Sequence, residues 1–292
     1  MTSETIRSPG GLGLEEDPDS GTGLRLVAEQ RKNRLIQTMK IGAVWILLVA
    51  LLIFVLLQLN IDPGYAIGHL DFILQGLLYT VWVSLVSILI ASVLALLGAL
   101  GRLSKNSIAQ GISGLYVSLI RGTPLLIQIY LIYLGLPQIG TQLEAYGFHT
   151  LGRMFTLTAI QSGILALSLN YGAYMTEIFR AGIQSIAHGQ REAAASIGMT
   201  NWQMYRRVIL PQAVRVIIPD IGNQFIAMQK DSALVSIIGI WEITFRANRL
   251  GRQEGKFVEM LLMAALVYWL LTIVSSWLES RLERRLTEAY ER

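Results

Sequence analysis

The chain has 292 residues, 53% hydrophobic and 15% charged, with a mean hydropathy of +0.49, whereas an ordinary soluble domain carries about 25% charged residues, so the composition is that of a membrane protein. With no cysteine there can be no disulfide, thiolate nucleophile, iron–sulfur cluster or cysteine-ligated zinc, and His69, His149 and His188 are too dispersed for a metal site. The net charge of +4 is carried by Lys and Arg scattered around apolar segments, which fits a membrane protein and not a nucleic-acid surface.

In chain order, residues 1–29 are rich in Gly, Ser and acids, including Glu15, Glu16, Asp17 and Asp19. They predict a disordered leader, taken to residue 35. A charge-free run at 41–59 follows, within an expected membrane anchor over 36–62. A span needs about 20 apolar residues to cross about 30 Å of hydrocarbon. No cleavable signal is expected, since the run starts only at residue 41 and leads into Asp62-Pro63-Gly64. The second span lies at 72–101. After Arg102 and Lys105, an interfacial helix is predicted over 108–120, ending at Arg121. Gly122-Thr123-Pro124 then reads as a helix start, with Thr123 as N-cap and Pro124 at the first helical position, opening a span over 124–140. Further spans are expected at 154–176, 211–240 and 260–278.

The prediction is an all-α, polytopic membrane helix bundle with six transmembrane helices. With the N-terminus inside, Lys plus Arg number 16 on the cytoplasmic side and five on the other. The positive-inside bias therefore puts both termini in the cytoplasm, with a cytoplasmic tail at 284–292. The last outer loop, 241–259, runs against this bias with Arg246, Arg249, Arg252 and Lys256, and is expected to be structured.

In the fifth span, Pro211 and Pro219 should break or kink the helix. Asp220, Asn223, Gln224, Lys230 and Asp231 place polar groups at membrane depth. Positions 220, 223, 224, 227 and 231 advance at helical spacing, so their polar groups share a face turned to a translocation path or a partner. The other reading is that Lys230 and Asp231 snorkel or pair to hold the bundle. Glu177 and Arg180, and likewise Arg121, read either as functional charges or as ordinary interfacial ones. His188 reads as a loop surface residue.

The cytoplasmic loop 189–211 reads as helix, turn and helix. Glu192-Ala193-Ala194-Ala195 favours helix, Gly198 suits the left-handed residue after it, and Thr200 with Gln203 forms a capping box. Such an apolar and basic hairpin favours a protein partner. Its residues Glu192-Ala193-Ala194, Gly198 and Val208-Ile209-Leu210-Pro211 resemble the EAA motif of ATP-binding-cassette (ABC) importer permeases, Glu-Ala-Ala, three residues, Gly, nine residues, Ile-x-Leu-Pro, with Val208 in place of Ile. Arg121-Gly122-Thr123-Pro124-Leu125-Leu126-Ile127-Gln128, Tyr174-Met175-Thr176-Glu177-Ile178-Phe179-Arg180 and Lys230-Asp231-Ser232-Ala233-Leu234 are similar to signatures of the polar amino-acid uptake branch, with Ser232-Ala233 in place of the commoner Thr-Ser.

The resemblance implies a type I ABC importer permease fold over 71–283, with a five-helix core beyond the extra first span. It also implies a coupling loop at about 189–211 through Glu192, Ala193, Ala194, Gly198, Leu210 and Pro211, and a substrate path drawing on Thr123, Gln128, Glu177, Asp220, Asn223, Gln224, Lys230 and Asp231. The implied partners are two copies of an ABC ATPase, a second permease bundle, identical or homologous, and an extracytoplasmic substrate-binding protein. The implied setting is the lipid bilayer of a bacterial cytoplasmic (inner) membrane, with a polar amino acid as substrate. No phosphate-binding loop occurs in the sequence, so ATP and Mg would belong to the partner ATPase and this chain would bind no cofactor. The alternative reading is a gradient-driven carrier using Asp220, Lys230 and Asp231, or a non-transporting scaffold.

Overall fold

The computed structural model describes residues 19–58 and 61–288, and every regular element in that range is helical. Helix α1 (Asp19–Gln58) forms one unit, and the described residues from 62 to 288 belong to the other. Helix α1 begins inside the segment expected to be disordered: good helix formers such as Leu24, Arg25, Leu26 and Ala28 extend the helix of the span outward. Residues 1–18 of the expected leader, and 289–292 of the expected tail, lie outside the described residues.

The second unit opens with α2 (Pro63–Gly68), capped by the Asp62 side chain on Tyr65 N–H, and the long α3 (Leu70–Leu103). Next come α4 (Ser107–Arg121), α5 (Leu125–Tyr130), α6 (Leu136–Ala145) and α7 (His149–Met154). They lead to α8 (Ala159–Gln184), whose capping box of Thr158 and Gln161 is fully formed. Two short helices, α9 (His188–Ser196) and α10 (Asn201–Met204), precede α11 (Leu210–Asp231); a 3₁₀ segment (Ser232–Ile238), α12 (Ile243–Glu254) and α13 (Phe257–Glu288) complete the unit.

The central packing is α3 on α8, and the small residues of both make it close. A Cβ on Gly98 would lie 2.3 Å from Thr176 Oγ1, and one on Gly172 would lie 3.0 Å from Leu94 Cβ. Small residues let membrane helices approach this closely, so Gly98 seals α3 to α8 within the bundle. Ser168 Oγ also donates to Ser87 O across the seam at 3.3 Å. The core continues through Ile129, Leu167, Met175, Ile209, Met228 and Val235, all fully buried.

A second cluster, including Ile73, Ile243, Ala247, Met260 and Val267, locks α12 and α13 onto the start of α3. Glu242 caps α12, accepting from the Thr244 and Phe245 N–H groups at 2.9 and 2.7 Å and from the Tyr268 hydroxyl. It is 1% exposed, and burial pushes its carboxyl up to about 7 despite those donors, which favour the charged form.

Two further expectations change. Thr123 does not cap the next helix: its hydroxyl donates back to Leu119 O at 3.0 Å, closing α4, and Pro124 takes the N-cap position of α5. Pro219 does not interrupt the fifth span, since α11 continues through it, held on either side where Gly182 meets Ile217 and Gly222 meets Glu279. Irregular backbone lies elsewhere, in π-helical turns at Leu131–Gly135 and Tyr205–Ile209, just before Pro137 and Pro211. There a wider turn relieves the clash between the proline ring and the carbonyl of the preceding turn.

Among the described residues, three helices qualify as spans by length and apolarity, and α4 with the segment 125–145, bent by 106°, makes up to four, so the expected count of six is not reached on these criteria. Helices α8 and α11, about 39 and 33 Å long at 1.5 Å per residue, have the length but are more polar.

Candidate functional site

The hairpin at 188–211 is assembled from local signals. Helix α9 ends where Gly198 takes φ +77°, a left-handed conformation that glycine adopts without a Cβ penalty. The Thr200–Gln203 capping box then starts α10, which runs through the π turn into α11. Arg191 Nη2 ties the hairpin to the end of α8 by donating to Ile183 O at 3.0 Å. Ala194 is buried, whereas Glu192, Ala193, Ile197 and Trp202 are exposed; Ile197 and Trp202 are both 72% exposed. Glu192 accepts from His188 Nδ1 at 3.1 Å on the exposed side of α9. The hairpin thus presents a carboxylate, small side chains and two large apolar groups together, which suits protein contact.

A polar cavity of about 280 Å³ lies where the α4–α5 turn, α8 and α11 meet. Thr123, Pro124 and Leu125 form one wall, Asn170, Tyr171 and Tyr174 another, and Gln224 and Asp231 the third. Asp231 is its one charged lining residue and accepts from the Tyr171 hydroxyl at 2.8 Å. Gln128 is buried behind the cavity and fixes its rim. Its amide donates to Ile120 O, Thr123 O and Thr123 Oγ1 at 2.7, 3.1 and 2.8 Å, while its carbonyl accepts from Asn170 Nδ2 at 3.1 Å. Beside it, the Arg121 guanidinium lies 5.0 Å from the centre of the Tyr174 ring. A carboxylate, a phenol and amides around one small cavity can hold an ammonium group and further polar atoms.

Of the residues read from the sequence, the cavity gathers Thr123, Gln224 and Asp231, with Gln128 behind it. The others lie apart. Glu177 bridges Arg102 and Arg180 at 3.5 and 2.7 Å. Asn223 Nδ2 donates to Pro219 O, and Asp220 and Lys230 are exposed and do not line the cavity. Asn170, Tyr171 and Tyr174 were not among the expected path residues. Their signal was Asn170, an amide inside an otherwise apolar run, since polar groups at membrane depth mark cavities.

Residues 87–288 match the family of binding-protein-dependent transport system inner membrane components. The chain is 37% identical over 231 residues to the probable amino-acid permease protein YxeN of Bacillus subtilis (strain 168), covering 79% of this chain and 98% of that protein. The chain belongs to this permease family. The permease is also 35% identical to the arginine transport system permease protein ArtQ of Bacillus subtilis (strain 168), over 78% of its own length and 98% of ArtQ. The crystal structure of an amino acid ABC transporter with histidines matches it at TM-score 0.67 and 35% identity, covering 77% of this permease and 99% of that chain. The MetNI methionine ABC transporter, at 17% identity and TM-score 0.59, shares the fold.

The permease is therefore a multi-pass inner-membrane subunit of an ABC importer with the type I fold. Its ATPase is a separate subunit, and its family works with a second permease and a substrate-binding protein. Membership disposes of the gradient-driven and scaffold alternatives.

Proposed function

We propose that the permease carries a polar amino acid inward across the membrane by alternating access, coupled to its ATPase through the hairpin at 189–211. The observation that carries this reading is the pairing of an exposed hairpin built around Glu192 and Gly198 with a small polar cavity whose charge is the Asp231 carboxylate. Each feature matches one half of an ATP-driven importer. In this reading two bundles and two ATPases form the transporter, six spans cross the membrane, and both termini lie in the cytoplasm. Residues 71–283 form the transport domain and 36–62 an extra anchor. ATP binding closes the ATPase pair; Glu192, Ala193, Ala194 and Gly198 move with it, and Leu210 and Pro211 pass the motion into α11, whose far end carries Gln224 and Asp231. Thr123 and Gln128 hold the opposite rim. Glu177, towards the cytoplasmic end of α8, belongs to the lower part of the path, and Asp220, Asn223 and Lys230, exposed on α11, to its contact with the second bundle. Amino-acid uptake by the complete transporter tests this: Glu192→Ala and Gly198→Trp should abolish uptake while the permease stays at its normal amount in the membrane. Near-normal uptake by both variants would refute the coupling role.

A further inference from the structure

The segment after α11 carries Arg246, Arg249, Arg252 and Lys256, on the side where the proposed orientation leaves few basic residues. The fold accounts for two of them. Arg246 is buried, donating to Phe72 O, Gln75 Oε1 and Trp241 O at 3.1, 3.0 and 3.1 Å. Lys256 pairs with Asp62 and Glu259 at 3.8 and 3.6 Å. Arg249 and Arg252 differ: neither makes an ion pair or hydrogen bond among the described residues. Arg249 lies over the Trp241 ring at 4.7 Å, which occupies the face of a guanidinium and leaves its N–H edge free.

Three residues apart on α12, the two guanidiniums share one side of the helix, where like charges repel. They line a single pocket of about 320 Å³ with Ser236, Ile237, Phe245 and Asn248, and no acid lines it. Two free N–H edges and the Asn248 amide in one concavity suit a carboxylate, which guanidinium binds in bidentate fashion, while the Ser236 hydroxyl donates to Ala233 O at 2.6 Å. The pocket lies at the far end of α11 from the hairpin, about 33 Å away by helical rise. The 3₁₀ segment links it to the polar cavity, since Asp231 precedes that segment and Ser236 and Ile237 lie within it. Five residues at roughly 2.0 Å each separate Asp231 from Ser236 by about 10 Å of backbone.

We propose that Arg249 and Arg252 form a carboxylate-binding subsite at the extracytoplasmic mouth, which receives the α-carboxylate of the incoming amino acid before its ammonium group reaches Asp231. The proposal rests on the amino-acid import reading. A zwitterion meets first the positive pocket and then the negative cavity, so each end of it is held in turn.

The test gives cells with the complete transporter a ¹³C-labelled mixture of the twenty amino acids at saturating concentration. Initial uptake is compared, per permease in the membrane, in wild type, R249Q/R252Q, R249K/R252K and a strain lacking the permease. R249Q/R252Q should cut permease-dependent uptake at least tenfold, and R249K/R252K should keep at least a third of it. A wild-type rate in R249Q/R252Q would overturn the proposal. So would recovery of that variant when the substrate-binding protein is overproduced, which would assign the arginines to protein docking. Equal uptake by wild type and R249Q/R252Q in vesicles of phosphatidylcholine alone, with wild type alone gaining when phosphatidylglycerol is added, would assign them to a lipid phosphate and overturn it equally. If wild type takes up none of the twenty above the deletion strain, the amino-acid reading itself fails, which separates the two failures.

Discussion

Gly198 offers a sharp test of the hairpin, because its substitution perturbs backbone conformation and little else. It sits at φ +77°, and a Cβ there meets nothing within 4 Å. Gly198→Ala therefore adds strain without a clash, about 1–2 kcal/mol for an ordinary residue in the left-handed region. Asparagine tolerates that region, so Gly198→Asn should be nearly silent. If the ATPase grips the hairpin in this geometry, the strain opposes docking directly, and 1–2 kcal/mol weakens the affinity by roughly 5- to 30-fold. The assay is binding of the purified ATPase subunit to the permease in lipid nanodiscs, measured for wild type, Gly198→Ala and Gly198→Asn. Equal affinity of Gly198→Ala and wild type, or equal weakness of Gly198→Asn and Gly198→Ala, would refute the claim that this turn geometry is what the ATPase reads.

Other residues yield predictions of the same kind. Asp231→Asn should reduce uptake at least tenfold, and Tyr171→Phe, which removes only the hydroxyl donor to that carboxylate, should reduce it less; the reverse order would displace Asp231 from the centre of the cavity. The Glu242 carboxyl is held at about 7 against an ordinary 4.5, a gap of about 3 kcal/mol at roughly 1.4 kcal/mol per pH unit. The folded state binds this proton more tightly than the unfolded state, so the stabilisation is complete below about pH 4.5 and is lost as pH rises through about 7. Thermal unfolding of the purified permease should accordingly show a steeper loss of stability over that window in wild type than in Glu242→Gln, and parallel curves would show that Glu242 titrates normally. Gly98→Ala, whose Cβ would lie 2.3 Å from Thr176 Oγ1, should destabilise the permease by about 1–3 kcal/mol. Gly98→Ala/Thr176→Ala should recover part of that loss, and additive effects in a double-mutant cycle would mean that the α3–α8 contact is looser than described.

The hairpin was readable from sequence because its signals are local. Gly198, Thr200 and Gln203 set a turn and a cap within a few residues, and the structure keeps each of them. The cavity was less readable because its walls come from three distant segments. Asp231 and Gln224 stood out as polar groups in an apolar stretch, but Asn170 and Tyr171 are brought to them by the crossing of α8 over α11, which no single-segment periodicity encodes. Thr123 and Pro219 misled for one reason. Isolated helix rules assign Thr to the next helix and a break to Pro, whereas here a hydroxyl bonds back to α4 and packing on both sides of Pro219 carries α11 through. The basic residues after α11 were legible as an anomaly, and only contacts distinguish the structural Arg246 and Lys256 from Arg249 and Arg252.

The central claim is that ATP hydrolysis on a separate subunit drives amino-acid movement through this permease. Its most direct test is reconstitution of the permease, with the ATPase that co-purifies from native membranes, into vesicles supplied with the substrate-binding protein and labelled amino acids. The account predicts accumulation that requires hydrolysable ATP, stops when the ATPase is omitted and ignores an imposed proton gradient. Accumulation that follows the proton gradient without the ATPase would contradict it.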